Sequence, residues 1–149
     1  KHRSKLFALF NLFSHSFDLL NVYKLQAFPH VGGHSATKVG RHIFLHGGRD
    51  SGFVSNESYV VDTVEKTLTK LNCARDCAPR HGHEAVLIDR FLTVLGGGGY
   101  GSDSVDRVDV FDCVEQQWLA RDVHGATLGR TNFTATNVGG TILILGGFR

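Results

Sequence analysis

Nine histidines among 149 residues are the side chains with the widest chemical repertoire in this sequence. His42 and His46 lie four apart and His81 and His83 two apart, so each pair falls on one side of an extended strand. Imidazole is a common ligand of zinc and copper, which makes a metal cluster geometrically conceivable. A catalytic metal would need a further convergent set of His, Tyr or Cys. Cys73-x3-Cys77 has no partner pair, because Cys113 stands alone. Gly96-x-Gly98-x-x-Gly101 spells a dinucleotide fingerprint, yet the polar, strand-like stretch from Ser102 to Asp112 offers no helix N-terminus to a pyrophosphate. There is no Gly-x-Ser-x-Gly elbow and no cysteine with a nucleophile signature. Asn56-Glu57-Ser58 and Asn132-Phe133-Thr134 are glycosylation sequons that matter only in a secreted chain. The expectation is no catalytic residue, no cofactor and no bound metal.

The elements that carry these residues sit in a chain of ordinary globular composition. It is 20% charged and 42% hydrophobic, with 18 Gly and only 2 Pro, enough for one domain at most. The net charge of +2 is a mild excess, and its Lys and Arg are spread along the chain. That distribution predicts no nucleic-acid partner and no polybasic membrane surface. The apolar run Leu6 to Phe10 is broken by Asn11 and by Ser14, His15 and Ser16, well short of the roughly 18 residues of a membrane span. Lys1, His2, Arg3 and Lys5 ahead of that run imitate a signal peptide, but no small-residue cleavage pattern follows. Three Cys cannot close a disulfide framework, so they read as reduced thiols and point to a cytoplasmic or otherwise intracellular setting. A chain that starts at Lys1 and contains no Met reads as the interior of a longer frame.

Self-comparison is more informative than any single motif. Gly47-Gly48, Gly96-Gly97 and Gly146-Gly147 each close a short apolar run, at spacings of 49 and 50. Ala36, Ala85 and Ala135 keep the same two spacings, as do His34, His83 and Phe133. Between the doublets, Tyr59-Val60-Val61-Asp62 matches Asp109-Val110-Phe111-Asp112, and six residues beyond each Asp stand Leu68 and Trp118. Ala8-Leu9-Phe10-Asn11 followed by Phe17 fits more loosely as the tail of an earlier unit. Each unit reads as four short strands separated by turns, with no helix of useful length. In the best-preserved unit the strands fall at about 83–88, 91–95, 107–112 and 117–121. Nearly continuous apolar runs such as Phe91 to Leu95 suit strands buried on both faces.

Arg80-His81-Gly82-His83, Gly96-Gly97, Asp112 and Trp118, at a period near 50, resemble the kelch repeat. The resemblance covers nearly the whole chain and implies an all-β fold: a partial kelch-type β-propeller with blades of four-stranded antiparallel sheets. Residues 1–30 would be the tail of one blade, 31–80 and 81–130 two blades, and 131–149 the start of the next. Val31 stands at the Arg position of the first unit, Leu68 at the Trp position, and Phe133 at the His position of the last. His34, Gly47, Gly48, Asp62, His83, Gly96, Gly97, Asp112, Trp118, Gly146 and Gly147 are expected to be structural. His34 and His83 are read as partly buried imidazoles that hydrogen-bond across the blade. The glycines allow backbone angles and close approaches that a Cβ forbids, and Trp118 is large enough to fill the space between blades. Propellers have about 4 to 8 blades, so about three units leave an uncovered face that further blades or self-association would fill.

Function is expected in the loops that differ while the strands match. Arg49 to Glu57 and Gly98 to Asp106 follow the doublets, and Asn72 to His81 and Ala120 to Thr131 join one unit to the next. By resemblance, kelch propellers bind partner proteins on such a face, and several use Arg at the positions of Arg49 and Arg80 to hold acidic segments. A planar guanidinium grips a carboxylate with two hydrogen bonds. Arg49, Asp50, Arg80, Tyr100 and Arg130 are therefore the candidate partner-binding residues, and the implied function is non-catalytic protein–protein interaction with an acidic peptide or domain. In one large kelch group the propeller selects substrates for a cullin-based ubiquitin ligase through a separate N-terminal domain. The alternatives are a propeller enzyme with a metal or small-molecule site and a truncated structural remnant.

Overall fold

The computed structural model describes residues 8–19, 29, 31–75, 77–101, 104–120 and 129–149. The basic start of the chain, Asp76 and most of the segment from Ala120 to Thr131 lie outside them. All regular elements among the described residues are strands. Strands β1 (Ala8–Asn11) and β2 (Ser16–Leu19) form a hairpin. Strands β3 (Ser35–Val39), β4 (His42–His46), β7 (Ser58–Asp62) and β8 (Thr67–Lys70) form a four-stranded antiparallel sheet in that order. A two-residue pair, β5 (Arg49–Asp50) and β6 (Phe53–Val54), projects between β4 and β7. Strands β9 (Glu84–Ile88), β10 (Phe91–Leu95), β11 (Asp109–Asp112) and β12 (Gln117–Leu119) repeat the four-stranded meander, and β13 (Thr131–Val138) with β14 (Thr141–Phe148) is its first half again. The architecture is all-β, in kelch-like sheets.

Register follows the repeat. Leu45 lies opposite Tyr59 in the first sheet and Val94 opposite Asp109 in the second, the same ladder one period later. The expected 107–112 strand begins at Asp109 because the carbonyl of Arg107 accepts a bond from the Arg80 side chain rather than from a neighbouring strand. The fourth strand ends at Leu119, and position 121 lies outside the described residues.

At the end of β7, Asp62 Oδ1 accepts from Val64 N at 2.9 Å and Glu65 N at 3.0 Å. Asp112 Oδ1 does the same with Val114 N at 3.0 Å and Glu115 N at 3.2 Å. Each carboxylate also holds an Arg from the preceding hairpin, Arg41 at 2.5 Å and Arg90 at 2.7 Å. The two repeated Asp thus tie the third-strand turn to the hairpin beside it.

The sheets stack face to face, with the first strands β3, β9 and β13 adjacent in space. Thr37 Oγ1 donates to Ala85 O at 2.9 Å, and Asn137 Nδ2 donates to Leu87 O at 3.2 Å, between those strands. Strand alternation then sends Phe44 forward, where it joins Leu92, Val94, Phe111 and Trp118 from the next sheet in one buried cluster. Phe44 lies 4.7 Å from Phe111 and 6.3 Å from Trp118 between ring centres, and Trp118 lies 5.1 Å from His46. Trp118 therefore fills the space between units. One period on, Leu95 points forward to Phe133 in the next cluster.

The close approach of the sheets depends on the first glycine of each of the first two doublets. A Cβ on Gly47 would lie 2.6 Å from Arg80 O, and one on Gly96 would lie 2.7 Å from both Arg130 O and Phe133 Cε1. Their φ angles are +67° and +57°, in the left-handed region. Gly96→Ala is expected to lower the unfolding free energy by about 2–4 kcal/mol, from backbone strain and overpacking together. Gly40→Ala, where an added Cβ meets open space, should cost about 1–2 kcal/mol from its positive φ alone. Urea titrations of both variants make the comparison, and a smaller loss for Gly96→Ala than for Gly40→Ala would show that the junction tolerates a side chain.

Candidate functional site

The connection after the first doublet folds back as a small hairpin. Asp50-Ser51-Gly52-Phe53 turns with φ of +44° at Ser51 and +91° at Gly52, a two-residue turn with positive φ at both central positions. Arg49 is pinned by reciprocal backbone bonds, Gly32 N to Arg49 O at 3.0 Å and Arg49 N to Gly32 O at 2.9 Å. The base of the connection is closed by Gly47 N donating to Glu57 O at 3.0 Å and by buried Ser55, whose Oγ accepts from Glu57 N at 3.1 Å.

Tyr100 belongs to the corresponding connection of the next unit. Its hydroxyl donates to Val54 O at 3.0 Å, and Val54 is the residue that pairs with Arg49. Tyr100 is 52% exposed and Phe53 54%, and Arg49 is also exposed. Three of the expected residues, Arg49, Asp50 and Tyr100, are thus brought together at this hairpin, in which Phe53 pairs with Asp50. Phe53 was not anticipated; the Ser51-Gly52 pair ahead of it was the available signal for a hairpin that presents it.

Arg80 and Arg130 are placed elsewhere. Arg80 is wholly buried, at 0% exposure. Its Nη1 donates to Gly96 O at 3.0 Å and Arg107 O at 3.1 Å, its Nε donates to Ala78 O at 3.2 Å, and Nη2 pairs with the carboxylate of Asp109. Arg107 binds the other oxygen of the same carboxylate, with Nε at 2.6 Å. Arg80 is therefore a corrected expectation: the guanidinium is enclosed by Ala78, Gly96, Arg107 and Asp109 and presents nothing to a partner. Arg130, one period later, makes the matching bond to Gly146 O at 2.6 Å and remains partly exposed.

The repeat explains the exchange at the first unit. Val31 stands where Arg80 does and Tyr59 where Asp109 does, and these two pack in the apolar cluster of Leu45, Val61 and Leu68. Tyr59 is buried, with its hydroxyl on Glu57 Oε2 at 2.5 Å. One unit uses an apolar pair where the next uses an ion pair.

Behind the loops lie two buried imidazoles. His46 Nδ1 pairs with Ser58 Oγ at 2.9 Å, and His83 Nε2 pairs with Ser35 Oγ of the preceding unit at 2.8 Å. Their rings meet edge to face at 5.4 Å. Burial, reinforced by the Arg80 charge, pushes the His46 pKa down to about 3, and burial with His46 and Arg80 nearby holds His83 well below its usual value. His83 thus cross-links two units, while His34 at the same repeat position is exposed, with no earlier sheet against it among the described residues. Among those residues no three His, Cys, Asp or Glu side chains converge as a metal site. Cys77 is buried, and burial pushes its thiol pKa far up.

A sequence profile of the KLHDC2/KLHL20/DRC7 Kelch-repeats domain matches residues 2–148. The chain belongs to the kelch-repeat family. Its kelch units are 32% identical over 124 residues to the dynein alpha chain of the flagellar outer arm of Chlamydomonas reinhardtii, covering 78% of this chain and 3% of that protein. They are 29% identical over 139 residues to Kelch domain-containing protein 3 of Bos taurus, covering 83% of this chain and 36% of the relative. Acyl-CoA-binding domain-containing protein 5 of Arabidopsis thaliana is 26% identical over 143 residues, covering 93% of this chain and 22% of the relative. The chain spans well under half the length of each of these relatives.

Two outcomes follow from the kelch junction. Asp109→Asn leaves the Arg80 charge buried without its carboxylate and is expected to cost about 3–5 kcal/mol in a urea titration. The double substitution Arg80→Val with Asp109→Tyr, which copies the first unit, should cost less than that single change. Separately, both buried histidines bind a proton more readily unfolded than folded, so stability is complete above about pH 6.5 and falls as the pH drops towards 3, by about 1.4 kcal/mol per pH unit for each histidine held neutral. His46→Leu, which copies Leu95, should flatten that slope between pH 6.5 and 4.5. An unchanged slope would assign the loss to other groups.

Proposed function

We propose that these kelch units form a protein-interaction module whose recognition edge is the Arg49–Val54 hairpin with Tyr100 docked on it. The observation that carries this reading is the bond from Tyr100 to Val54 O, which joins loops of two successive units and ties an exposed tyrosine to the hairpin that bears Arg49 and exposed Phe53. Tyr and Arg are the residue types that dominate interface energetics. The arrangement suits an extended acidic segment, with a carboxylate on the Arg49 side and an apolar residue over Phe53 and Tyr100. Arg130 lies outside this edge, on the forward face of the last unit.

The blade assignment 31–80, 81–130 and 131–149 goes with this reading, since each four-stranded sheet falls within one span. The earlier span, 1–30, contributes the β1–β2 hairpin. An intracellular setting fits three thiols that form no disulfide with one another. Substrate selection for a cullin-based ubiquitin ligase is one form such a module takes, and it requires a cullin-binding domain in addition to these residues.

Display of a random peptide library against the immobilised chain tests the proposal. Peptides with Asp or Glu next to an apolar residue should be enriched, and Arg49→Glu and Tyr100→Ala should each reduce their binding about tenfold or more. No enrichment, or enrichment indifferent to both substitutions, would remove this edge as the recognition surface.

A further inference from the structure

The junction of the first two units carries a titratable side chain that the fold itself does not use. Gly32, His81 and Thr131 share one repeat position, and of the three only His81 bears an imidazole. Its backbone is fixed as that of Gly32 is: His81 N donates to Gly98 O at 2.9 Å and Gly98 N donates to His81 O at 2.8 Å, the bonds that Gly32 makes with Arg49. The ring lies over Gly98, where an added Cβ would stand 3.0 Å from Nε2, and Gly98 is two residues ahead of Tyr100. An added Cβ at Gly33, which follows the Gly32–Arg49 bridge, would lie 3.6 Å from His81 Cβ. The imidazole is partly exposed and makes no hydrogen bond or ion pair with a described residue.

We infer that His81 is a second anion contact of the recognition edge, so that an acidic group held by Arg49 is held also by the His81 imidazolium and its capture takes up one proton from solvent. The inference rests on the acidic segment proposed above. The charged and titratable groups around the ring are basic: Arg49 acts on His81 itself, and His34, His46 and Arg80 act with it on His83. Arg80 is spent on Asp109, and His46 and His83 are kept neutral by burial. Thr131, on the far side of Gly98, brings no charge. In the free chain, burial and then the Arg49 charge hold the His81 pKa below its ordinary value. An anion seated against both groups opposes that second cause and pairs with the imidazolium. The proton is then held more tightly in the complex than in the free chain, so affinity rises as the pH falls from the His81 pKa of the complex towards that of the free chain.

The probe is a fluorescent, C-terminally amidated peptide, Gly-Ser-Asp-Leu-Gly-Ser, titrated against the whole chain at constant ionic strength. Its affinity should rise about threefold or more between about pH 7.5 and 5.5, and His81→Gln should bring that ratio to about one. A second reading uses the unsubstituted chain and stands even if that variant folds poorly. Replacing chloride by sulfate, a dianion throughout this range, at equal ionic strength should move the NMR titration of the His81 ring to higher pH, further than those of the remaining exposed histidines. Arg49→Gln should remove that difference. A pH gain that survives His81→Gln, a His81 titration indifferent to sulfate, or binding that needs Arg49 but has no pH gain would each overturn the inference, the last while leaving the proposed edge intact. A peptide that binds at neither pH, with sulfate still moving His81, would support the paired anion contact and remove the acidic-segment reading.

Discussion

The fold turns on a contact between a glycine that ends one strand and a carbonyl that begins the next unit. Gly47 and Gly96 bring their Cα atoms so near Arg80 O and Arg130 O that a methyl group does not fit. Beside them the second glycines bond the same residues through their amides, Gly48 N to Arg80 O at 2.8 Å and Gly97 N to Arg130 O at 2.9 Å. Because the backbones meet at that point, the sheets lie close enough for Phe44 to reach Trp118 and for His83 to reach Ser35. Push the backbones apart and the aromatic cluster between the sheets loses its second wall. Gly82 N bonds Gly33 O, and Asn132 N bonds Gly82 O, both at 2.8 Å, so the same stacking is stitched a second time nearer the first strands.

On that frame, different units answer one packing problem differently. The space below the doublet is filled by Val31 and Tyr59 in the first unit and by Arg80 and Asp109 in the second. Replacing a buried ion pair by apolar groups of similar volume is often neutral or stabilising, whereas losing one ion alone is costly. The two positions are therefore free to change only together. His46 and Leu95 form a comparable contrast: at one forward position the chain uses an imidazole tied to Ser58, at the next an aliphatic side chain packed on Phe133.

Much of this was legible in the sequence. Strand pairing obeys the same register in every copy, so a period of 49 to 50 in glycine doublets, alanines and the Asp to Trp interval locates the strands to within about two residues. What stayed hidden depends on the neighbour and not on the residue itself. His34 and His83 occupy one repeat position, yet one is exposed and the other buried, because among the described residues a preceding sheet lies against His83 alone, through Ser35. Arg80 read as a loop arginine because its carboxylate, Asp109, lies on a distant strand. Aligning Val31 with Arg80 and Tyr59 with Asp109 in the same comparison would have exposed the pair. The Arg49–Val54 pairing is matched in the second unit, among the described residues, by a single bridge between Gly98 and Ser104 in a connection of different sequence and length, so the repeat marks the base of the hairpin and not the exposed Phe53 at its tip.

The forward direction of the glycine contacts also gives the fold an order in time. Each sheet presents its forward face to residues that follow it in the chain, and a ribosome delivers those residues last. A newly made unit therefore waits, with Phe44 or Leu95 uncovered, until the opening residues of the next have left the exit tunnel. Assembly then runs as a queue, one blade in arrears of synthesis, and a pause in translation prolongs exposure of the newest face while the older junctions stay sealed.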